Sequence, residues 1–333
     1  MFLDSMKSRV QGKKRRVLYA EGKEAEVLQA ASMLKDKDLA IPVLMGDPDE
    51  LHKAGKKLNV DFEGIEIHNP KEDKNFDRYV QEYYELRKHK GLSEKEAEET
   101  MRKPHFFGAM MVHLGAADGL VSGLSSETKP FIPAFEIIGL RDGFKRASSV
   151  FVLELPEQLL FFADCAVNIN PDAQGMAEIA YATVETVRWF GVEPRVAFLS
   201  FSTHAKEQDG ELIGKIKEAT EIAKKLMPYA IIDGEIQFDA AMLPEVARKK
   251  APDSPFVEKG ANVFIFPDLN SGNIAYKITE RVGRARATGP ILQGLKKPVN
   301  DVSRGCSAED LVNAGVITAA LVQLDDTVHS DCL

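Results

Sequence analysis

The chain has 333 residues, of which 44% are hydrophobic and 28% are charged, and its formal net charge is −8. This length predicts two domains or one large α/β domain, and the acidic balance argues against a nucleic-acid backbone as the main partner. Three cysteines without a Cys-x-x-Cys pair indicate neither a disulfide framework nor a metal site. The sequence has no apolar run long enough for a signal peptide or a membrane span, so we expect a cytoplasmic protein.

Short apolar runs alternate with helical patterns along the first half of the chain. The runs that predict strands are RRVLYA (15–20), IPVLMGD (41–47), IEIHNP (65–70) and DGLVSGL (118–124). The segments with helical spacing are KEAEVLQAASMLKDKD (23–38), NFDRYVQEYYELRKHKG (75–91), SEKEAEETMRK (93–103) and HFFGAMMVHLG (105–115).

The second half continues this alternation. Its predicted strands are SVFVLEL (149–155) and LLFFADCAVN (159–168), expected as an antiparallel pair, then RVAFLSFST (195–203), AIIDGEI (230–236), ANVFIFPDL (261–269) and a last strand, GPILQGL (289–295). Its predicted helices are 172–191, 211–227, 272–283 and 307–323. The pattern favours α/β layers with mainly parallel sheets, which place ligand sites at the carboxyl ends of their strands.

Two loops between a strand and a helix carry polar side chains. In VSGLSSETKP, the hydroxyls of Ser126 and Thr128 stand before a predicted helix, where they predict a phosphate site or plain N-capping. In FPDLNSGNIAYK, Asp268, Asn270 and Asn273 flank a strand end, and either a binding site or a cap and turn explains them.

A third loop lies in KPVNDVSRGCSAEDLVNAG, near the C-terminus. Ser307 and Asp310 have the spacing of a capping box, which accounts for Asp310 without a function. Ser303 and Arg304 have no such explanation, and an arginine beside a free helix start makes a good anion site.

Cys306 lies in the same loop and raises the question of a covalent nucleophile. No histidine lies nearby in the sequence to activate it, so we do not favour that interpretation. The dinucleotide fingerprint, the P-loop and the Gly-x-Ser-x-Gly elbow are all missing from the sequence, which gives no support to nucleotide hydrolysis or Ser-His-Asp acyl transfer.

Several motifs together resemble the phosphate acetyl/butyryltransferase family. They are DGLVSG, FADCAVNINPDA, EPRVAFLSFST, IDGEIQFDAA, KKAPDSP, ANVFIFPDLNSGNIAYKI, GPILQGLKKPVND and SRGCS, in this order. The resemblance runs from about residue 15 to residue 322 and is most specific between 261 and 307. The N-terminal part is also similar to the C-terminal domain of bifunctional malic enzymes.

The resemblance implies an acyltransferase that interconverts acetyl-CoA and phosphate with acetyl phosphate and CoA. It implies coenzyme A as substrate and no tightly bound cofactor. It also implies a homodimer of two α/β domains with a cleft between them. Residues 1–142 with 291–333 would form the first domain, and 143–290 the second, dimerising domain, with the last strand and helix crossing back to the first.

The resemblance also assigns roles to residues. Ser303, Arg304 and Asp310 match the active-site positions of the family, and Arg87 matches a substrate-binding arginine. Asp310 would accept the proton of the CoA thiol, and the thiolate would attack acetyl phosphate directly. Ser303 would donate to the developing oxyanion and Arg304 would balance the phosphate charge.

The sequence departs from the family at one place. The family usually has an arginine before the proline that follows the hydroxyl loop, and here Ile132 precedes Pro133, so Lys129 is the candidate substitute cation. Two alternatives stay open: a non-catalytic domain that senses acetyl-CoA, as in malic enzymes, and a transferase that prefers propanoyl or butyryl groups. Retention of Ser303 and Arg304 favours catalysis over sensing.

Overall fold

The computed structural model describes residues 2–125, 131–205 and 210–322. The chain divides into two compact units, Met1–Arg141 with Leu295–Leu333, and Asp142–Gly294. We call them unit 1 and unit 2. Within the described ranges, no helix is both long and apolar enough to span a membrane.

The α/β class is confirmed. The strands are β1 Arg16–Tyr19, β2 Ile41–Met45, β3 Glu66–His68, β4 Gly119–Ser122, β5 Ser148–Leu155, β6 Gln158–Ala163, β7 Arg195–Leu199, β8 Ile231–Ile236, β9 Val263–Ile265, β10 Arg286–Gln293 and β11 Val299–Asp301. The helices are α1 Phe2–Val10, α2 Ala25–Asp36, α3 Pro48–Lys57, α4 Phe76–Arg87, α5 Glu94–Met101, α6 Pro104–His113, α7 Phe131–Pro133, α8 Ala173–Trp189, α9 Glu211–Leu226, α10 Phe238–Met242, α11 Pro244–Lys250, α12 Leu269–Arg281 and α13 Ala308–Leu321.

Unit 1 is built on a parallel sheet with the strand order β3-β2-β1-β4-β11. Its central strands are short apolar runs because both faces are covered: Val17, Leu18 and Leu120 are fully buried. Helix α13 packs on α2 and contacts β1 and β4, so the C-terminal helix belongs to the core of this unit.

One sequence prediction is wrong here: GPILQGL does not contain the last strand. It forms part of β10, which runs antiparallel to β5 in unit 2, and β11 follows as a further strand that pairs in parallel with β4. Three-residue β11 has no apolar run to reveal it, because its middle residue is Asn300. That residue is buried and its Nδ2 donates to Oγ1 of Thr318 at 2.7 Å, a partner that only the packing of α13 provides.

Unit 2 has the strand order β10-β5-β6-β9-β7-β8. The antiparallel pairing of β5 with β6 is confirmed, and the steps from β6 to β9, β7 and β8 are parallel. Aromatic rings fill the core, with Phe162 edge-on to Phe264 at 5.5 Å between ring centroids. The predicted cleft and the dimerising role of this region stay predictions.

Candidate active site

The carboxyl ends of three parallel strands form one edge of the unit 1 sheet. β1 ends at Tyr19, β4 at Ser122 and β11 at Asp301, and the pairs Tyr19–Val121 and Ser122–Asp301 are in register. The residues that follow these strands therefore emerge along the same edge, which is where parallel sheets place their ligands.

The start of α13 is anchored to β1 beneath this edge. The hydroxyl of buried Tyr19 donates to the carbonyl of Leu311 at 2.9 Å. Gly315 permits the approach, since a Cβ there would lie 2.2 Å from the Tyr19 oxygen. The first turn of α13, with Asp310, is thereby held at a defined position relative to the strand ends.

The capping box predicted from the sequence is present. Oδ2 of Asp310 accepts hydrogen bonds from the Ser307 N–H at 2.9 Å and from its hydroxyl at 2.8 Å, and the Asp310 N–H donates to Oγ of Ser307 at 3.2 Å. The carboxylate is exposed, and its Oδ1 has no partner within the described part of the chain. The cap fixes the side chain and leaves one oxygen able to accept a proton.

Ser303 and Arg304 follow β11 in an exposed turn, closed by a hydrogen bond from the Cys306 N–H to the Ser303 carbonyl at 3.2 Å. Neither side chain has a hydrogen bond or an ion pair with a described residue. An unpaired guanidinium beside a helix N-terminus is a combination suited to an anion, because both are positively polarised. The structure thus brings Ser303, Arg304 and Asp310 together in one continuous loop and helix start.

Cys306 is half-buried between these residues. Burial, followed by the negative charge of Asp310, raises the pKa of its thiol to about 11. A thiol that stays protonated at neutral pH is a poor nucleophile.

Arg87 ends α4, and one of its terminal nitrogens donates to Oε1 of Glu136 at 3.1 Å. Glu136 lies in a π-helical turn, Ala134–Ile138, that follows α7. Its second oxygen, Oε2, accepts from the hydroxyl of Tyr83 at 2.7 Å. The arginine that the sequence singles out is therefore already paired with a carboxylate.

The two candidate asparagines lie at the start of α12 in unit 2. Asp268 caps that helix by accepting from the Ser271 N–H at 2.9 Å, and Nδ2 of Asn273 donates to the Cys165 carbonyl at 3.1 Å. Gly272 permits close packing, since a Cβ there would lie 2.3 Å from the Asp164 carbonyl oxygen. Asn270 is exposed and has no partner within the described ranges. The cap-and-turn explanation therefore accounts for Asp268, and Asn273 has a structural contact.

The hydroxyl-loop candidates Ser126, Thr128 and Lys129 lie outside the described residues. Their assignment stays a prediction.

Sequence reasoning missed a buried carboxylate at the same sheet edge. Oε1 of Glu21, two residues after β1, accepts from Nε2 of His105 at 3.2 Å, the Ser122 hydroxyl at 3.1 Å and the Gly123 N–H at 2.9 Å. Burial alone raises the pKa of Glu21, but the hydrogen bonds from His105 and Gly123 outweigh it, and the pKa lies below its ordinary value. The only sequence signal was a glutamate directly after a predicted buried strand.

Glu21 stabilises the turn that leads from β4 into the hydroxyl loop. Gly123 has a φ of +123°, and a Cβ there would lie 2.3 Å from Oδ1 of Asp301. The end of β4 is thus packed directly against the exit of β11, two residues before Ser303. Among the described residues, no group of three or more His, Cys, Asp or Glu side chains is arranged to hold a metal ion.

A family model described as phosphate acetyl/butaryl transferase matches residues 1–319. A protein of Bacillus subtilis named phosphate acetyltransferase is 44% identical over 317 residues, which are 95% of this chain and 97% of that protein.

Two solved structures match this chain with similar scores. The chain is similar to a phosphotransacetylase from Streptococcus pyogenes, with a TM-score of 0.91 and 43% identity, and to the EutD phosphotransacetylase from Staphylococcus aureus, with a TM-score of 0.90 and 41% identity. Each match covers 96% of this chain and 98% of the other.

Proposed function

The chain belongs to the phosphate acetyl/butaryl transferase family, and on that premise we propose how its residues carry out the family's reaction. It is an acyltransferase enzyme that interconverts acetyl-CoA and phosphate with acetyl phosphate and CoA. Coenzyme A is therefore a substrate of this chain.

In the proposed mechanism, Oδ1 of Asp310 accepts the proton of the CoA thiol. The thiolate sulfur then attacks the carbonyl carbon of acetyl phosphate, and the oxyanion that develops accepts a hydrogen bond from the hydroxyl of Ser303. When the C–O bond to the phosphoryl group breaks, Arg304 balances the charge of the departing phosphate. The protein forms no covalent bond to the acetyl group.

In the proposed mechanism, the position of the Asp310 carboxylate matters as much as its basicity. A free thiol has an ordinary pKa of about 8.5 and an aspartate about 3.9, so a carboxylate in water is a weak base towards CoA. The capping box holds Asp310 with Oδ2 bound and with Oδ1 free of any contact from the described part of the chain. Fixing the base and the thiol in contact contributes to the rate independently of basicity.

Further residues complete the proposed binding site. Arg87 supplies a cation for substrate binding, and Ser126, Thr128 and Lys129 supply donors from the hydroxyl loop. Lys129 takes the place of the arginine that Ile132 replaces, as a point charge rather than a bidentate fork. We also assign substrate contacts to Asn270 and Asn273.

We further propose that the enzyme acts in the cytoplasm as a homodimer and without a tightly bound cofactor. Unit 2 would supply most of the dimer interface. These proposals rest on the resemblance of the sequence to the family.

The observation that carries the mechanism is that the side chains of Ser303 and Arg304, beside the Asp310 cap, have no partner among the described residues. Its test is initial-rate kinetics with acetyl phosphate and CoA varied together. A ternary complex with direct attack predicts intersecting reciprocal plots, whereas parallel plots would indicate an acyl-enzyme. Ser303→Ala should lower kcat, and Arg304→Gln should raise the KM for acetyl phosphate. The same assay with propanoyl and butyryl phosphate measures the acyl preference.

A further inference from the structure

Tyr19 is the last residue of β1, and the mechanism above does not use it. Its side chain is 1% exposed, and its hydroxyl donates to the carbonyl oxygen of Leu311 at 2.9 Å. Burial, and to a smaller extent the nearby Cys306, raises the pKa of this hydroxyl, so it stays protonated and remains a donor. Leu311 directly follows Asp310, so the strand is bound to the backbone beside the proposed base.

A second buried hydrogen bond attaches α13 to the sheet further along the helix. Nδ2 of Asn300 on β11 donates to Oγ1 of Thr318 at 2.7 Å. Tyr19 and Asn300 are both in register with Val121 of β4, so their side chains point to the same face of the sheet. Leu311 and Thr318 lie roughly two helical turns apart. Helix α13 is therefore held near its start by β1 and near its end by β11.

The contact of the Tyr19 hydroxyl depends on a glycine in the facing helix. A Cβ at Gly315 would lie 2.2 Å from the Tyr19 oxygen and 3.1 Å from Cδ1 of Leu34. Glycine in a helix interior is less stable than alanine, because its backbone loses more freedom on folding. The helix thus accommodates the hydroxyl at a cost to its own stability.

The position of the Asp310 carboxylate depends on two successive contacts. The capping box with Ser307 holds the carboxylate relative to α13, and Tyr19 holds the first turns of α13 relative to β1. Ser303 follows β11, which the sheet joins to β1 through β4. Without the Tyr19 bond, the start of α13 can shift while Asn300 still holds the helix further on. A displacement of a reacting group by about 1 Å can lower a rate by about 100-fold.

We propose that Tyr19 is a positioning residue that sets the place of Asp310 for proton transfer from the CoA thiol. The inference rests on the proposed function, in which Asp310 is the base. Tyr19 acts through the backbone of Leu311, because its own hydroxyl is buried and bound there. Its contribution therefore lies in kcat and not in substrate binding.

The test is Tyr19→Phe, which removes the hydroxyl and keeps the ring. We expect kcat to fall by about fivefold to twentyfold, with the KM values for CoA and acetyl phosphate within about twofold of wild type. The acid limb of the kcat–pH profile should keep its midpoint, because the position of Asp310 changes and its basicity does not. A kcat within twofold of wild type, a loss confined to KM, or a shifted acid limb overturns the proposal.

Thr318→Val is the matched control on the same helix. It replaces a buried hydroxyl by a methyl group and removes the bond from Asn300, while the Tyr19 contact stays. Both variants should lower the Tm by a few degrees, about 2–4 °C for one lost hydrogen bond. Thr318→Val should keep kcat within about twofold of wild type. If it lowers kcat as much as Tyr19→Phe does, the effect follows stability and the positioning role is wrong.

Gly315→Ala added to Tyr19→Phe separates packing from the hydrogen bond. Without the hydroxyl, the new Cβ would lie 3.4 Å from Cζ of the ring, and its closest contact is the movable end of Leu34. The added methyl fills the space and favours the helix, so the Tm should rise above that of Tyr19→Phe. The double variant therefore also serves if Tyr19→Phe is too unstable to assay. Its kcat should remain low, and recovery of kcat together with Tm would overturn the proposal.

A double-mutant cycle with Asp310 distinguishes this inference from the proposed function. If Tyr19 acts through Asp310, Tyr19→Phe has no further effect on kcat in an Asp310→Asn background. If Asp310→Asn by itself leaves kcat unchanged, the base assignment in the proposed function is wrong. If Asp310→Asn lowers kcat but Tyr19→Phe does not, only the present inference fails.

Discussion

The starts of α12 and α13 resemble each other locally but differ in what remains available to a ligand. Both helices follow a loop after a short parallel strand, and both are capped by the side chain of their first flanking residue, Asp268 and Ser307. At α12, Asn273 is bound to a backbone carbonyl, and Gly272 packs closely against another. At α13, the side chains of Ser303 and Arg304 have no partner among the described residues. The same local motif therefore binds Asn273 into the packing of unit 2, whereas in unit 1 it leaves the side chains of Ser303 and Arg304 available to a ligand.

The largest effect on activity is expected at Asp310, in the capping box of α13. Asp310→Asn should lower kcat by roughly two or more orders of magnitude, because the amide cannot accept the thiol proton. The helix should still form, because Ser307 remains the N-cap and the asparagine oxygen can still accept from the Ser307 N–H. Steady-state kinetics with acetyl phosphate and CoA measure the loss, and thermal unfolding checks the fold.

Asp268→Asn is the control for that measurement. It makes the same substitution at the cap of α12 and should leave kcat within about twofold of wild type. If Asp310→Asn turns over like wild type, Asp310 is only a cap and the two helix starts do not differ in the proposed way.

A second prediction concerns Glu21, in the buried layer beneath the start of α13. Glu21→Gln removes the charge that three donors share, which should cost about 1–3 kcal/mol of unfolding free energy. The pKa of Glu21 is lowered in the folded chain, so its contribution is present above its ordinary value of 4.5 and is lost as pH falls through the lowered value. Urea unfolding between neutral and acid pH measures both effects.

The variant should therefore show a weaker fall of stability below pH 4.5 than wild type. Glu24→Gln is a suitable control, because the side chain of Glu24 accepts a hydrogen bond from exposed Ser125 and from no other described residue. Equal acid dependence in wild type and Glu21→Gln would show that Glu21 does not contribute as inferred.

The two asparagines of α12 differ in their contacts, so their replacement should have different effects. Asn273→Ala loses the hydrogen bond to the Cys165 carbonyl and should lower the unfolding free energy by about 1 kcal/mol. Asn270→Ala, at an exposed side chain with no described partner, should leave stability unchanged. If Asn270 contacts substrate, its replacement raises a substrate KM by several-fold. A stability loss without any KM change in both variants would assign both residues to packing.

The smallest effect is expected at Cys306. Cys306→Ala should retain most of the activity, because the raised pKa keeps the thiol protonated and the proposed mechanism needs no acyl-enzyme. Mass spectrometry after incubation with acetyl phosphate alone should show no added acetyl group. An acetyl group on Cys306 under those conditions would replace direct attack by covalent catalysis.

Local signals in the sequence were sufficient for much of the fold. The apolar runs of β1, β2 and β4 and the antiparallel pair β5 and β6 were predicted, because strand and helix periods depend on neighbouring residues. The Ser307–Asp310 capping box was predicted for the same reason, since its donors and acceptors lie within one turn. The activity followed from ordered motifs that resemble one family.

Contacts between distant residues were decided only by the tertiary structure. The sequence did not reveal β11, whose buried Asn300 depends on Thr318, or the meeting of Glu21 with His105 and Ser122 across about a hundred residues. The pairing of Arg87 with Glu136 belongs to the same class. In each case a polar side chain has an ambiguous meaning by itself, because burial and partner determine whether it packs, caps or binds. Sequence by itself therefore determined most of the elements, the family and the reaction, while packing decided which charges remain available for that reaction.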